Sequence, residues 1–295
     1  MNALPLQKGD TIGLVSPSSP LMMRDIKPGI QFLEQNGFKI KFGHHLYDAE
    51  RFLAGKDEDR AKDLLDFFKD PEVKAIVASR GGHGSQRLLP LLDYQMIHTN
   101  PKKLVGFSDT TALQLGLFKK TGLISYTGFS LTSKRSGLVE ETLISCLLGR
   151  SYHVKESVVV HSGLAEGLLI GGNLTLLTNL MGTPYQPNFK NCILLLEDVG
   201  NTPYNVDGMF SQLDLAGVFD QVAGIILGEF EDCVSKAADC HDGSVEDVLH
   251  EWSARFNVPC IKNFPYGHGT RNCVLPMGGL VSLNASTGCL TVTST

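Results

Sequence analysis

Ser108, Glu197 and His268 each join a reactive side chain to local punctuation that would hold it at a surface. Ser108 closes the apolar run Leu104-Val105-Gly106-Phe107 and stands directly before a helical pattern spanning 109–120. A serine at a strand-to-helix corner exposes its hydroxyl beside the free N–H groups of a helix N-terminus. A nucleophile and an oxyanion hole can be built together there. Read alone, Ser-Asp before a helix is more simply the signature of an N-cap. Glu197 stands where Ile193-Leu194-Leu195-Leu196 leaves the core, and alone it could be a solvated acid facing a surface lysine. His268 lies in Pro265-Tyr266-Gly267-His268-Gly269, where flanking glycines free the backbone and clear space around the imidazole. Alone, it also reads as a loop histidine bonded to backbone. A serine hydroxyl is a weak nucleophile until a base takes its proton, and that base needs a carboxylate to fix its tautomer. Serine, histidine and glutamate can fill the three roles.

The turn Gly81-Gly82-His83-Gly84 admits two functions. Its backbone N–H groups could cradle a phosphate, but it lacks the Gly-Lys-Ser/Thr ending of a P-loop and the spacing of a dinucleotide fingerprint. It could instead supply a second oxyanion donor opposite the amide of Asp109, as separate glycine-rich loops do in serine hydrolases. Thr110 occupies the place of the second glycine in Gly-x-Ser-x-Gly, which disfavours an α/β-hydrolase fold.

The elements that must position these residues alternate in the first half. Apolar runs predict strands at 11–16, 38–42, 73–78, 104–107 and 123–126. Amphipathic patterns predict helices at 24–36, 57–69, 85–92 and 109–120. This order implies an α/β fold whose N-terminal parallel sheet is flanked by helices (flavodoxin-like), with ligands at the carboxyl ends of the strands. Pro17, Gly81-Gly82 and Ser108 should gather at that edge. Residues 136–163 read as an irregular, polar linker. Strands expected at 167–170, 192–197, 222–228, 258–261, 281–284 and 289–292, with helices at 173–181, 206–215 and 244–256, give a C-terminal α/β domain with a small barrel-like sheet or a mixed sheet. The expected division is 1–135 with the nucleophile, the linker 136–163, and 164–295 with the glutamate and histidine.

Composition narrows the class. Hydrophobic content of 42%, charged content of 19% and a net charge of −5 describe a globular protein, not a general nucleic-acid binder. No basic block, no apolar run of about eighteen residues and no secretory leader pattern occurs, so no membrane or nucleic-acid partner is expected. Seven scattered cysteines fit free thiols in a reducing, cytoplasmic compartment. Cys233 and Cys240-His241 could form half a metal site, but no Cys-x-x-Cys pair accompanies them, and no metal or cofactor is expected.

Taken in order, Arg80-Gly81-Gly82-His83-Gly84-Ser85, Gly106-Phe107-Ser108-Asp109, Gly171-Gly172-Asn173-Leu174, Leu196-Glu197-Asp198 and Gly267-His268 resemble the LD-carboxypeptidases, or muramoyltetrapeptide carboxypeptidases. The strand ending in Ser16-Pro17 and the stretch Asn272-Cys273-Val274-Leu275-Pro276-Met277-Gly278 fit too, so the resemblance runs from about Gly9 to about Val292. It implies Ser108 as nucleophile, His268 as general base and acid, Glu197 as orienting carboxylate, and the amides of Gly82 and Asp109 as oxyanion hole. It also implies a metal-free homodimer in the cytosol that removes the terminal D-alanine of murein tetrapeptides during cell-wall recycling. Arg80 and His83 are the candidate substrate contacts. Arg271 also lies near the site in sequence as a possible partner for the terminal carboxylate.

The chain departs from the family pattern in three places. His83 replaces a usual tyrosine, Asn201 stands where an acid is common, and Gly208 stands where arginine is common. The related microcin C immunity peptidases, which cleave an amide or acyl-phosphoramidate link to a nucleotide, are the alternative. They tend to be longer and to carry an inserted aromatic, whereas Trp252 sits in a helical pattern and 219–244 is short. A non-catalytic small-molecule binding protein using the same cleft is the alternative of another class.

Overall fold

The run Val73-Lys74-Ala75-Ile76-Val77-Ala78 is buried at every position except Lys74. Such a strand must have a packed layer on both faces, as the interior strands of a parallel α/β sheet do. The computed structural model, which describes residues 1–21, 26–235 and 243–294, places it in that position. In chain order the first half runs β1 (Thr11–Val15), α1 (Lys27–Gln35), β2 (Lys39–Phe42), α2 (Asp57–Lys69), β3 (Val73–Ala78), a 3-10 segment (Ser85–Leu91), α3 (Tyr94–Thr99), β4 (Lys103–Gly106), α4 (Thr110–Thr121) and β5 (Ser125–Thr127). Strands β2, β1, β3, β4 and β5 lie side by side in parallel, the order of a flavodoxin-like sheet.

Next come α5 (Gly137–Leu147), β6 (Tyr152–Val154), β7 (Val158–His161), β8 (Leu164–Asn173), α6 (Leu174–Asn179), β9 (Ile193–Val199), α7 (Pro203–Leu215), β10 (Gly224–Glu231), α8 (Val245–Arg255) and β11 (Cys260–Lys262). The chain then adds β12 (Leu275–Met277), β13 (Leu280–Asn284) and β14 (Cys289–Val292). Strand β12 returns to the first sheet and pairs antiparallel with β5. The second sheet has the order β6-β14-β13-β8-β9-β10-β11-β7, parallel from β8 to β11 and antiparallel outside them.

Two expectations need correction. The second sheet is not a barrel: among the described residues its outer strands β6 and β7 do not pair. Ile193 and Leu195 share a core with Val281, Leu283 and Leu290, so the antiparallel part packs over the parallel part without closing. Leu194 and Leu196 point the other way, into a core with Phe210 and Trp252 of α7 and α8. The segment 136–163 is not irregular, since it holds α5, β6 and β7. Ser136 caps α5 by accepting from the Val139 amide, and Val139, Leu143, Cys146 and Leu147 bury one face. The start of the helix expected from 24 lies outside the described residues.

Helix α4 links the two halves. It is buried from Thr110 through Leu117, and Leu113 and Leu117 join the same core as Leu194 and Leu196. The helix that follows Ser108 is therefore packed against the sheet that carries Glu197. No described helix is long and apolar enough to cross a membrane.

Candidate active site

Ser108 follows β4 with φ +64, a left-handed conformation that costs a non-glycine residue roughly 1–2 kcal/mol. The turn aims its side chain away from the helix it precedes. Asp109, not Ser108, is the first flanking residue of α4, and no side chain caps that helix end. The N-cap reading of Ser108 is thus replaced by another contact: its Oγ lies 2.9 Å from His268 Nε2.

The other imidazole nitrogen, Nδ1, lies 2.7 Å from Glu197 Oε2. Glu197 is fully buried near the end of β9, so the solvated reading of this acid does not hold. Its second oxygen accepts from Asn173 Nδ2 at 3.1 Å. Parallel register sets Asn173 at the end of β8 directly beside Glu197. Burial raises the Glu197 carboxyl above its usual range, against the opposing hydrogen bond from His268. Burial pulls His268 down, but the bond to Glu197 and the carboxylate's charge outweigh it and raise the imidazole above its ordinary value. The His268 ring also packs on Phe107, with centroids 4.6 Å apart. These contacts fix the ring in one plane with one nitrogen toward Ser108.

Asp109 fixes the turn after β3. Its buried carboxylate accepts from Ser18 Oγ at 2.6 Å, the Gly84 amide at 3.1 Å and the Ser85 amide at 2.8 Å. Ser85 Oγ donates in return to the Asp109 carbonyl at 2.6 Å. Buried Arg60 of α2 donates to the carbonyls of Pro17 and Gly84 and pairs with Asp57. Gly81 approaches so closely that a Cβ there would lie 2.8 Å from Ser108 Cβ. Gly82 has φ +119, and a side chain on it would collide with Ser19. The amides of Gly82 and Asp109 bond to no backbone carbonyl among the described residues, which leaves both as available donors.

Asp109→Asn should therefore cost stability. Either orientation of the amide sets an N–H against the Gly84 or Ser85 donor, a loss of about 1–3 kcal/mol. Urea unfolding should show a lower midpoint with unchanged slope, and an unshifted midpoint would mean that the carboxylate does not clamp the turn.

Ser108, His268 and Gly82 face a cleft of about 430 Å³ that Arg80, Ser130 and Lys134 also line. Arg80 is half-buried and donates to the Pro20 carbonyl at 2.9 Å. His83 does not line this cleft; it is exposed and meets Phe52 edge-on at 5.5 Å. Arg271 is also elsewhere, donating to the carbonyls of Glu156 and Asn263. Asn201 donates to Asp198 Oδ1 at 2.9 Å and to Thr175 at 3.0 Å, bracing the residue after Glu197. Gly208 lies on α7 with open space around it. Trp252 is buried, donates to Asp207 at 2.8 Å and stacks near Phe210. Asn173 and the 130–134 wall were not assigned from sequence, although Asn173 lies inside a motif noted there.

Among the described residues, the one histidine and acid group close enough to share an ion is His45, Asp48 and Asp59, outside this cleft. There the imidazole is already bonded to Asp48 at 2.8 Å. Cys233 is buried with its thiol pushed up to about 11 by burial, and Cys240-His241 lie outside the described residues.

The chain matches the LD-carboxypeptidase N-terminal domain over residues 12–128 and the LD-carboxypeptidase C-terminal domain over residues 166–283. It is 34% identical to the murein tetrapeptide carboxypeptidase of Pseudomonas aeruginosa, covering 90% of this chain and 91% of that one. It is 32% identical to the microcin C7 self-immunity protein MccF of Escherichia coli, covering 94% and 91%. A solved structure of wild-type MccF aligns with a TM-score of 0.90 at 30% identity over 100% and 99% of the two chains. The muramoyltetrapeptide carboxypeptidase from Oxalobacter formigenes aligns at 0.85 with 27% identity over 96% and 99%.

Proposed function

This chain belongs to the LD-carboxypeptidase family, and from that premise we propose that it is a serine carboxypeptidase releasing the terminal D-alanine of murein tetrapeptides. The observation that carries the reading is the hydrogen-bonded succession Ser108, His268, Glu197 beside two unengaged amides. Ser108 Oγ attacks the carbonyl carbon of the third residue while His268 Nε2 takes the hydroxyl proton. The carbonyl oxygen becomes an oxyanion held by the amides of Gly82 and Asp109. As the C–N bond breaks, His268 returns the proton to the departing amine, leaving an ester on Ser108. Water then adds to the ester, His268 accepts its proton, and Ser108 recovers it as the acid leaves. Glu197 holds the imidazole tautomer and balances its charge throughout. The proposal includes a cytoplasmic homodimer serving cell-wall recycling, with no metal in the acyl transfer.

The test is incubation with L-Ala-γ-D-Glu-meso-diaminopimelate-D-Ala and mass spectrometry for loss of one alanine. No loss would overturn the substrate assignment. The likeness in fold to MccF favours one second reading, cleavage of an aminoacyl–nucleotide amide. An aminoacyl sulfamoyl adenylate in the same assay separates the two.

A further inference from the structure

The cleft has a wall with no part in the acyl transfer: Ser130, Thr132, Ser133 and Lys134. The amides of Leu131 and Thr132 donate to the carbonyls of Ala78 and Ser79 at 3.3 and 3.2 Å. The turn is thus fastened to the end of β3, immediately before Arg80-Gly81-Gly82. Within it, the Ser133 amide donates to the Ser130 carbonyl at 3.0 Å, and the Ser130 amide to Ser133 Oγ at 2.9 Å. The Ser130 and Ser133 hydroxyls lie 2.9 Å apart, and Leu131 is buried beneath them. Two hydroxyls and the start of Lys134 therefore leave a fixed mount, and no described residue pairs with the Lys134 ammonium.

The described ionisable side chains that line the cleft are all basic. The chain has 31 acidic and 26 basic residues, yet no described carboxylate lines the cleft, while Arg80 and Lys134 do. A substrate cleaved at its last peptide bond carries its α-carboxylate two bonds from the leaving nitrogen. The seat for that carboxylate must open into the same cleft as Ser108 and His268. Arg271, held at Glu156 and Asn263, does not. We infer that the Ser130–Lys134 turn is this seat, with the Lys134 ammonium pairing the terminal α-carboxylate and, of the mutually bonded Ser130 and Ser133 hydroxyls, the one whose proton is not spent on the other donating to a carboxylate oxygen. The inference rests on the carboxypeptidase reading and names its specificity determinant.

The experiment compares the tetrapeptide with its C-terminal amide, using wild-type protein, Lys134→Met and Lys134→Arg. A charge-assisted contact on a partly solvated lysine is worth roughly tenfold in kcat/KM. Lys134→Met should lose that factor on the free acid and nothing on the amide, and Lys134→Arg should restore most of it. Equal losses on both substrates, or no loss on either, would overturn the seat. If wild-type protein releases neither alanine from the acid nor alaninamide from the amide, the carboxypeptidase reading fails on its own. The seat is then decided by calorimetric binding of the two peptides to Ser108→Ala with and without Lys134→Met. Weaker binding of the acid alone supports it, and unchanged or equally weakened binding overturns it.

Discussion

Ser108→Ala should lower turnover of the tetrapeptide by roughly 10⁶-fold, the scale seen when a nucleophile is removed from a serine triad. The loss should fall on kcat, because the substitution removes one oxygen and leaves the cleft walls, the amides of Gly82 and Asp109 and the His268–Glu197 bond in place. Peptide binding measured by calorimetry should persist. Stability should barely change, since the strained φ of +64 is imposed by the corner and is shared by alanine. The discriminating measurement is single-turnover release of alanine alongside thermal unfolding. Undiminished release from a folded variant would remove Ser108 from the chemistry.

Glu197→Gln should lower kcat/KM by about 10⁴-fold at neutral pH, because a glutamine can turn its amide N–H toward Nδ1 and stabilise the wrong tautomer. A second consequence concerns pH. The base must be neutral to accept the serine proton, so activity falls as pH drops through the pKa of the His268–Glu197 pair. Glu197 raises His268 above its ordinary value of 6.5, so the acid limb of the wild-type profile should lie above 6.5. Removing the carboxylate takes away the hydrogen bond and the largest charge that raise the imidazole, leaving burial, which lowers its pKa, opposed only by the smaller effects of Asp198 and Glu231. The limb of the residual activity should therefore move to lower pH in Glu197→Gln. A limb that stays fixed would place the titrating group elsewhere. Glu197→Asp serves as the comparison, since it keeps the charge and shortens the reach.

Much of this site was legible in the sequence, for local reasons. Val73–Ala78 and Asp57–Lys69 were recovered residue for residue, because a doubly buried strand and a charged amphipathic helix have patterns that no other element shares. Ser108 and His268 announced themselves through a corner and a glycine frame. Their meeting was not legible: 160 residues separate them, and no spacing rule spans that gap. Only the order of the motifs, read as a family resemblance, joined them. Other failures have simple causes. Strand β12 contains Pro276, which argues against a central strand but is tolerated at the sheet edge where it lies. Strands β6 and β7 are only three and four residues long, and partly exposed. The wall at 130–134 is a run of serine, threonine and lysine, which reads as solvated loop until its backbone bonds to β3 are seen.

The path of the chain around His268 bears on biosynthesis. Strand β11 belongs to the second sheet and β12 to the first, so residues 263–274, His268 among them, form a strap between the sheets. A nascent chain that has emerged only as far as β11 already owns Ser108, Glu197 and the amides of Gly82 and Asp109, but not His268. It lacks the edge strand that pins the strap's far end. Reactivity should thus be withheld during synthesis until Leu275–Met277 dock beside β5, making hydrolysis one of the last properties the growing polypeptide acquires.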